Sequence, residues 1–432
     1  MTYKERINYL NKLKLSILKH EAEIKHALYL DLGKSGQESY ATEIGIVLSE
    51  ISLFLKKLKT WMKPLKVRGV LTTFPSKSYV YSEPYGKVLI IGPWNYPFQL
   101  IMMPLVGAIG AGNTAVIKPS EFAVHTENIL IKIIGEVFPL NIVKIESGDH
   151  TVSSELLKQR FDYIFFTGSE KVGKIVMEAA SKHLTPVTLE LGGKSPTIIM
   201  DKKHIELAAK KVAFGKLINA GQTCIAPDYV LITKDLKEDF IKFYIKAVES
   251  FYGSNPLESK DYPKIIHQRH YKRLINLMND QKIIYGGTYN GEKIHPTLLE
   301  PSIYSKVMEE EIFGPILPIL TIEHIEDINK YILEKPLALY LFTDNPKIKD
   351  YVINNISAGG ITINDTLMHF SNHNLGFGGV GSSGMGKYHG KHSYDTFTHY
   401  KPVLKKSNYL DIKFKYLPSD DKKENLIKKV MK

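Results

Sequence analysis

The chain of 432 residues contains a single cysteine, Cys224, which excludes an intrachain disulfide and a zinc site built from cysteines. A lone cysteine is most often a small, buried, apolar residue. The residues before it are small and polar, from Asn219 to Thr223, and Pro227 follows it. This composition is typical of a turn that presents a side chain, which a thiolate nucleophile also requires. Taken alone, these residues favour the inert interpretation and leave the nucleophile as the alternative.

Arginine is scarce as well and occurs at a handful of positions such as Arg160 and Arg269. The net charge of +12 comes mostly from lysines that are dispersed singly and in pairs, and no long basic run precedes the tail. Because arginine is the better reader of bases and phosphates, we do not expect nucleic acid to be the partner. The scarcity of cysteine also fits a reducing compartment, so the sequence favours a cytoplasmic protein.

A transmembrane segment is not expected either. Residues 88–117 carry no charge, which is long enough for a membrane span. Pro93, Pro97 and Pro104 interrupt this stretch, however, and Asn95 would lack a partner in lipid. The stretch instead predicts a buried strand, a loop, a helix and a second buried strand. At the N-terminus, charges interrupt every short apolar run, so no secretory signal is predicted.

The periodicity of the apolar residues predicts an α/β fold. Residues 4–32 and 40–62 have helical periodicity, and an exposed strand is predicted at 78–82. Short apolar runs then alternate with helical stretches, which implies a parallel sheet assembled from βαβ units. The predicted strands are residues 87–91, 114–118, 163–166, 188–191, 197–200 and 229–233, and the predicted helices are residues 127–138, 172–182, 205–217 and 235–252.

Glycine-rich turns indicate where a dinucleotide could bind. Residues 379–384 have the letters of a G-x-G-x-x-G fingerprint, but no strand precedes them and too little chain follows. Residues 163–173 have the right order, with an apolar strand, a Gly168–Ser169 turn and a helix that contains Gly173. Their spacing is not the standard one, so alone they are a weak signal. The histidine pairs 369/373 and 389/392 lack the carboxylate-bearing helix of a zinc enzyme, so no metal site is predicted.

Four stretches together resemble the aldehyde dehydrogenases of the class 3 branch. They are GPWNYP at 92–97, LELGGK at 189–194, GQTCIAP at 221–227 and EEIFGP at 310–315. The ending CIAP is the class 3 form, as is the late stretch GMGKYHGKHS at 384–393. The resemblance extends over nearly the whole chain.

The resemblance implies an enzyme that oxidises an apolar aldehyde, aliphatic or aromatic, to the carboxylic acid with NAD(P)+. Cys224 would attack the carbonyl as a thiolate, and the side-chain amide of Asn95 with the backbone N–H of Cys224 would form the oxyanion hole. After hydride transfer, Glu190 would activate the water that hydrolyses the thioester. Without the family, Asn95 is interpreted as a turn residue and Glu190 as a salt-bridged carboxylate at a strand end.

The resemblance also assigns the cofactor residues. Lys118 and Glu121 match the positions that hold the adenosine ribose. The carboxylate of Glu121 favours NAD because it would repel a 2′-phosphate, although class 3 members often accept NADP too. The other matches are Gly168, Ser169 and Gly173 at the pyrophosphate turn and Glu311 and Phe313 beside the nicotinamide ribose.

The expected fold is α/β and aldehyde dehydrogenase-like, with a Rossmann-like cofactor domain, an α/β catalytic domain and a small β oligomerisation extension. The expected limits are residues 1–75 and 85–189 for the dinucleotide-binding domain, 190–392 for the catalytic domain, 76–84 and 393–412 for the extension, and 413–432 for a basic tail. Edge strands in such an extension need a partner, so a homodimer is expected. The tail has no apolar anchor span, which indicates a soluble enzyme, and we expect it to be a solvated end rather than a membrane-surface helix.

Two alternatives stay open. In a CoA-acylating aldehyde dehydrogenase, CoA takes the acyl group from the thioester, and that chemistry does not need a water-activating base such as Glu190. A non-catalytic binding protein of the same fold is the second alternative, and it does not require the joint presence of Cys224, Glu190 and Asn95.

Overall fold

Residues 1–431, which a computed structural model describes, form three β-sheets with helices packed around them. The strands are β1 (Leu65–Val67), β2 (Ser76–Pro84), β3 (Lys87–Ile91), β4 (Thr114–Lys118), β5 (Val143–Ile145), β6 (Tyr163–Thr167), β7 (Val187–Glu190), β8 (Pro196–Ile199), β9 (Tyr229–Thr233), β10 (Lys282–Tyr285), β11 (Thr297–Glu300), β12 (Ile316–Ile322), β13 (Ala338–Phe342), β14 (Gly360–Ile363), β15 (Gly384–Met385) and β16 (Thr398–Lys406). The helices are α1 (Tyr3–Lys19), α2 (Glu21–Leu32), α3 (Gly36–Ser39), α4 (Gly45–Trp61), α5 (Gln99–Ala111), α6 (Val124–Val137), α7 (His150–Leu157), α8 (Glu170–Ser181), α9 (Ile205–Leu217), α10 (Lys237–Tyr252), α11 (Gln268–Met278), α12 (Lys306–Glu309), α13 (Pro346–Asn355), α14 (Lys391–Thr396) and α15 (Asp421–Met431).

The first sheet has six strands in the order β15-β7-β6-β3-β4-β5, and all but β15 are parallel. Its strands are short and apolar because helices cover both faces and leave no side for water. Every residue of α5 is buried. Since the carboxyl ends of parallel strands meet at one edge, Thr167 at the end of β6 lies opposite Glu190 at the end of β7.

The second sheet has seven strands in the order β10-β11-β12-β9-β8-β13-β14, and only the edge strand β10 is antiparallel. The chain enters this sheet through β8, which five residues separate from the end of β7. Helices α9 and α10 pack side by side against it. The loop between α9 and β9 contains Cys224, so this sheet positions the thiol.

The third sheet is small and antiparallel, in the order β1-β2-β16. Strands β2 and β16 pair along nine residues, from Ser76 opposite Lys406 to Pro84 opposite Thr398. Strand β16 exposes most of its side chains, whereas those of the central strand β2 are nearly all half-buried. The α/β fold with a small β extension is therefore confirmed.

Several predicted elements occur where periodicity placed them, including α9 at Ile205–Leu217 and β9 at Tyr229–Thr233. The helix predicted over 4–32 is two helices, because the chain turns at His20. The ring of His20 lies 2.7 Å from Glu23 and 3.0 Å from Glu136, so the turn is fixed by two carboxylates. The glycine-rich residues 379–384 form no strand–turn–helix unit, and Gly384 instead pairs with Glu190.

No helix within residues 1–431 combines the length and the apolar character that crossing a bilayer requires. The apolar stretch around α5 is a strand, a loop, a 13-residue helix and a strand, as predicted. The tail helix α15 has no buried residue.

Candidate active site

Cys224 follows a turn whose backbone is left-handed at three successive residues. The angle φ is +51° at Asn219 and Ala220 and +75° at Gly221. Asparagine and glycine tolerate this conformation, whereas alanine adopts it only when its surroundings impose it. A Cβ atom at Gly221 would lie 2.3 Å from the carbonyl oxygen of Gly314, so only glycine fits there. The turn leaves the thiol partly exposed, in agreement with the small polar residues that predicted a presenting loop.

Hydrogen bonds join this turn to the loop after β3. The side-chain amide of Asn219 donates to the carbonyl oxygens of Asn95, over 2.8 Å, and Gln222, over 3.0 Å. The side-chain amide of Asn95 donates to the carbonyl oxygen of Gln222 over 3.1 Å. One of its two N–H groups is used in this bond, and the other is free to donate to a ligand. Two loops from distant parts of the chain thus hold the Asn95 amide beside the segment of Cys224.

Glu190 ends β7 as a buried carboxyl group whose two oxygens have no hydrogen-bond partner among the described residues. Burial raises the pKa of Glu190 well above its ordinary value, because no cation or donor compensates for the lost hydration. A carboxyl group of this kind is protonated more often than usual and is a strong base once ionised. It is not the salt-bridged carboxylate that the sequence alone favoured.

The surroundings of Cys224 disfavour the thiolate, because the sulfur is removed from water and lies near two carboxylates. Burial, followed by the charges of Glu311 and Glu190, raises its pKa above the usual range. Burial also raises the pKa of Glu311 to about 8, and the backbone N–H of Gly193 partly opposes this by hydrogen bonding. The thiol therefore needs a base or a bound cation to become a thiolate at neutral pH.

Seven of the ten residues predicted for the site line one cavity of about 650 Å³. They are Asn95, Gly168, Ser169, Glu190, Cys224, Glu311 and Phe313. The cavity lies between the first and second sheets, since it is lined by the ends of β6 and β7 and by residues of the second half of the chain. Its volume is typical of a site for a cofactor or drug-sized molecule.

The part of the cavity next to β6 suits a pyrophosphate. Residues 168–171 line it, and Ser169 precedes the 12-residue helix α8 without capping it through its side chain. The first N–H groups of a helix have no partner within it and carry partial positive charge, so they can bind an anion. A Cβ atom at Gly168 would lie 2.5 Å from the ring of Phe166, so the turn has no room for a side chain. The residues present therefore fit a dinucleotide.

Three predicted residues lie outside the lining of this cavity. Lys118 ends β4, and its buried ammonium donates to the carbonyl oxygen of Pro119 over 2.5 Å. The carboxylate of Glu121 is 4.0 Å from that ammonium and is partly exposed. Gly173 lies in α8, where a Cβ atom would be 2.6 Å from Leu191. Gly173 thus lets the helix approach the end of β7.

Sequence reasoning missed the charged residues that hold the site loops. Lys34 and Glu43 form a completely buried ion pair of 2.5 Å, and Lys34 also donates to the carbonyl oxygen of Asn95 over 3.1 Å. Lys194 donates to Asp228 over 2.5 Å and to the carbonyl oxygen of Glu310 over 2.9 Å. Lys34 and Lys194 each follow a glycine outside the periodic stretches, so the sequence carries no signal that they are buried or paired.

Known proteins resemble this chain along its whole length. Residues 1–403 match the aldehyde dehydrogenase family. The 4,4′-diaponeurosporen-aldehyde dehydrogenase of Staphylococcus aureus is 48% identical over 428 residues, which cover 95% of this chain and 93% of that protein. The dimeric NADP-preferring aldehyde dehydrogenase of Canis lupus familiaris is 44% identical over 421 residues, which cover 96% and 93%. A solved structure of the substrate-bound state of Staphylococcus aureus AldH has a TM-score of 0.97 at 47% identity and covers 100% of this chain and 95% of that one.

Proposed function

Because the chain belongs to the aldehyde dehydrogenase family, we propose that Cys224 is its nucleophile, Asn95 its oxyanion donor and Glu190 its hydrolytic base. The protein is an NAD(P)-dependent enzyme that oxidises aldehydes to carboxylic acids. The observation that carries the proposal is that the thiol, the amide and an unpartnered buried carboxyl group line the same cavity.

The first step is addition of the Cys224 thiolate to the aldehyde carbonyl. The thiol must first lose its proton, which passes to water. A bond then forms between sulfur and the carbonyl carbon while the carbonyl π electrons move to oxygen. The free N–H of Asn95 and the backbone N–H of Cys224 stabilise this oxyanion.

The bound dinucleotide would serve as the hydride acceptor. We propose that Gly168 and Ser169 hold its pyrophosphate with the first N–H groups of α8 and that Gly173 permits this helix to lie close to β7. Glu311 and Phe313 would contact the nicotinamide ribose, and Lys118 and Glu121 the adenosine ribose.

Release of the acid requires water. The acyl group is a thioester of Cys224 at this stage, and ionised Glu190 takes a proton from a water molecule as the water oxygen attacks the thioester carbonyl. Asn95 stabilises the second oxyanion in the same way as the first. Breakage of the carbon–sulfur bond then releases the carboxylic acid and restores Cys224.

We propose NAD as the preferred cofactor, with NADP as a poorer one. The support is the carboxylate of Glu121, which would repel a 2′-phosphate and lies 4.0 Å from the buried Lys118. The relative from Canis lupus familiaris is named NADP-preferring, so the family contains both preferences. Glu121→Gln should increase kcat/KM for NADP+ relative to that for NAD+. An unchanged ratio of the two values would contradict the proposed position of Glu121 beside the adenosine ribose.

The substrate we propose is an apolar aldehyde, and the relative from Staphylococcus aureus is named for such a compound. Aromatic rings support this. Phe370, Phe377 and Tyr388 pack edge to face with centroids 5.1 Å and 5.7 Å apart. Burial, followed by the charges of Glu190 and Cys224, raises the pKa of Tyr388, so this aromatic cluster lies close to the proposed catalytic groups.

We also propose that the protein is a homodimer in the cytoplasm. Strand β16 lies at the edge of the third sheet, and its free backbone groups can pair with a second subunit. The proposed domains keep the limits predicted from the sequence.

The decisive experiment is single-turnover kinetics of NADH formation with an apolar aldehyde, with and without CoA. Cys224→Ala should form no NADH. Glu190→Gln should give at most one NADH per active site and then stop, because the thioester forms but is not hydrolysed. Sustained turnover by either variant, or a requirement for CoA in the wild type, would contradict these roles.

A further inference from the structure

The segment that follows β15 brings Tyr388 close to Glu190. Gly384 pairs with Glu190 in the antiparallel ladder between β15 and β7. Further along the same segment, the backbone N–H of Tyr388 donates to the carbonyl oxygen of Phe377 over 2.8 Å, and the N–H of Phe377 donates to that of Tyr388 over 3.0 Å. The backbone of Tyr388 is therefore fixed a short distance along the chain from the pairing with Glu190.

The side chain of Tyr388 is completely buried against the first sheet. Its ring meets that of Phe165 in β6 edge to face, with centroids 5.2 Å apart. Burial raises the pKa of Tyr388 well above its ordinary value, and the charges of Glu190 and Cys224 add to this rise. The side-chain amide of Gln99 opposes part of it. The hydroxyl thus lies near these three groups, and it stays protonated at neutral pH.

Two buried donors in this region have no hydrogen-bond partner among residues 1–431. They are the hydroxyl of Tyr388 and the Nε2 amide group of Gln99, the first residue of α5. Both side chains are buried, and neither lines the cavity of the site. Thr167 also has an unpartnered hydroxyl, but it does line the cavity. Buried donors without an acceptor cost free energy, so native proteins nearly always pair them.

Glu190 is the complementary acceptor, because both of its carboxyl oxygens lack a partner within the described chain. The other titratable groups that face it are Cys224 and Tyr163 of β6. The hydroxyl of Tyr163 is already hydrogen-bonded to that of Thr188 over 2.7 Å. No described cation contributes to the pKa of Glu190. Neutral donors are therefore the groups that can stabilise its ionised form.

We propose that Tyr388 and Gln99 are positioning residues that donate hydrogen bonds to the ionised carboxylate of Glu190. The proposal rests on the role of Glu190 as hydrolytic base and adds the groups that support this role. A carboxylate that accepts two such bonds is held in one orientation and ionises at a lower pH than it would without them. Neither donor exchanges a proton with the substrate. Their effect falls on hydrolysis of the thioester, the step in which Glu190 acts.

The test measures the two halves of the reaction separately, with an apolar aldehyde and NAD+. A burst of NADH after rapid mixing reports formation of the thioester, and intact-mass spectrometry of quenched samples reports its hydrolysis. Tyr388→Phe keeps the ring and its packing and removes only the donor. We expect an unchanged burst, an unchanged KM for the aldehyde and, below the pH midpoint, hydrolysis that is roughly tenfold slower, since one hydrogen bond to a charged group is lost. The pH midpoint of hydrolysis should rise by about one unit, which is the same tenfold effect. Gln99→Met should change hydrolysis in the same direction.

Tyr244→Phe is the matched control. Tyr244 is also a completely buried tyrosine whose hydroxyl has no partner among the described residues. It lies in α10, however, and its titratable neighbours are Tyr252 and Tyr285 rather than groups of the site. This variant should hydrolyse the thioester as fast as the wild type does.

A second comparison tests whether Tyr388 acts through Glu190. In the Glu190→Gln background, Tyr388→Phe should change the remaining hydrolysis by less than about twofold, because the two residues belong to one network. A wild-type pH midpoint in Tyr388→Phe, loss of its NADH burst, or a further tenfold slowing in the Glu190→Gln background would overturn the proposal while leaving Glu190 as the base. Wild-type hydrolysis by Glu190→Gln alone would overturn the proposed role of Glu190 and, with it, that of the two donors.

Discussion

The buried ammonium of Lys34 donates a hydrogen bond over 3.1 Å to the backbone carbonyl of Asn95, a residue 61 positions away in the sequence. The same ammonium lies 2.5 Å from Glu43 and 4.0 Å from the centre of the Tyr96 ring. The second oxygen of Glu43 accepts from the backbone N–H groups of Phe98 and Gln99. A buried ion pair from the N-terminal part of the chain thus holds the loop that carries the proposed oxyanion donor.

Removal of one partner of this pair should destabilise the protein strongly. Lys34→Met leaves the carboxylate of Glu43 buried without its cation, which should lower the free energy of unfolding by about 3 to 5 kcal/mol. Adding Glu43→Gln should recover part of this loss, because the uncompensated charge is then gone. Urea unfolding of the two single variants and the double variant gives the coupling energy. A loss below about 1 kcal/mol for Lys34→Met would mean that the pair contributes no more than an exposed one.

The bonds from Asn219 to the carbonyl oxygens of Asn95 and Gln222 should matter for turnover. Asn219→Asp keeps the shape and the tolerance for positive φ but replaces the two donated bonds with repulsion between oxygens. We expect kcat/KM to fall by roughly a hundredfold, since small displacements of reacting groups have effects of this size. Asn219→Gly serves as the control for backbone conformation. If the aspartate variant kept the activity of the wild type, Asn219 would have no positioning role.

The sequence predicted those parts of the site that depend on local chemistry. The turn before Cys224 was recognisable because small polar residues and Gly221 suit a left-handed backbone. The strands that end at Thr167 and Glu190 were recognisable as short apolar runs. The contacts of Lys34 with the Asn95 carbonyl and of Lys194 with Asp228 were not, because contacts of a buried ammonium with a distant segment leave no periodic signal. The family resemblance, rather than the residues themselves, turned Glu190 from a salt-bridged carboxylate into a proposed base.

The pH dependence of kcat should reflect the ionisation of the Glu190 carboxyl group. Burial raises the pKa of this carboxyl group well above its ordinary value, so the group stays protonated, and unable to accept a proton, to a higher pH than an exposed glutamate. Where thioester hydrolysis limits the rate, kcat should therefore rise with pH, over a range above the one in which an exposed carboxyl group ionises. The residual turnover of Glu190→Gln should lack this rise. A flat profile in the wild type, with hydrolysis shown to be limiting, would argue against Glu190 as the base.

Glu50 should make stability depend on pH. This buried carboxyl group in α4 accepts hydrogen bonds from the backbone N–H of Gly390, over 2.8 Å, and the hydroxyl of Ser393, over 3.0 Å. Burial outweighs these bonds and raises its pKa to about 7. Because the folded pKa lies above the unfolded one, the stabilisation is complete below the unfolded pKa and is lost as the pH rises through the folded pKa.

The expected loss from Glu50 between about pH 4.5 and pH 8 is roughly 3 kcal/mol of unfolding free energy, from the difference between the two pKa values. Glu50→Gln does not titrate and keeps an acceptor for the same two donors. The difference in unfolding free energy between this variant and the wild type should therefore increase in favour of the variant as the pH rises. Urea unfolding at both ends of the range measures it. A difference that is constant with pH would exclude the titration of Glu50.

Gly192 should be required for dinucleotide binding through its neighbour Glu311. A Cβ atom at Gly192 would lie 2.0 Å from a carboxylate oxygen of Glu311, so Gly192→Ala must displace that side chain. If Glu311 holds the nicotinamide ribose as proposed, KM for NAD+ should rise by roughly tenfold or more, the effect of losing one hydrogen bond to a charged group.

Gly135→Ala in α6 is the matched control, because its Cβ atom would meet nothing within 4 Å. That control should leave KM unchanged and stabilise the helix by about 0.5 to 1 kcal/mol. A dinucleotide titration that is followed by tryptophan fluorescence measures the affinity without turnover. An unchanged affinity in Gly192→Ala would contradict the proposed contact between Glu311 and the cofactor.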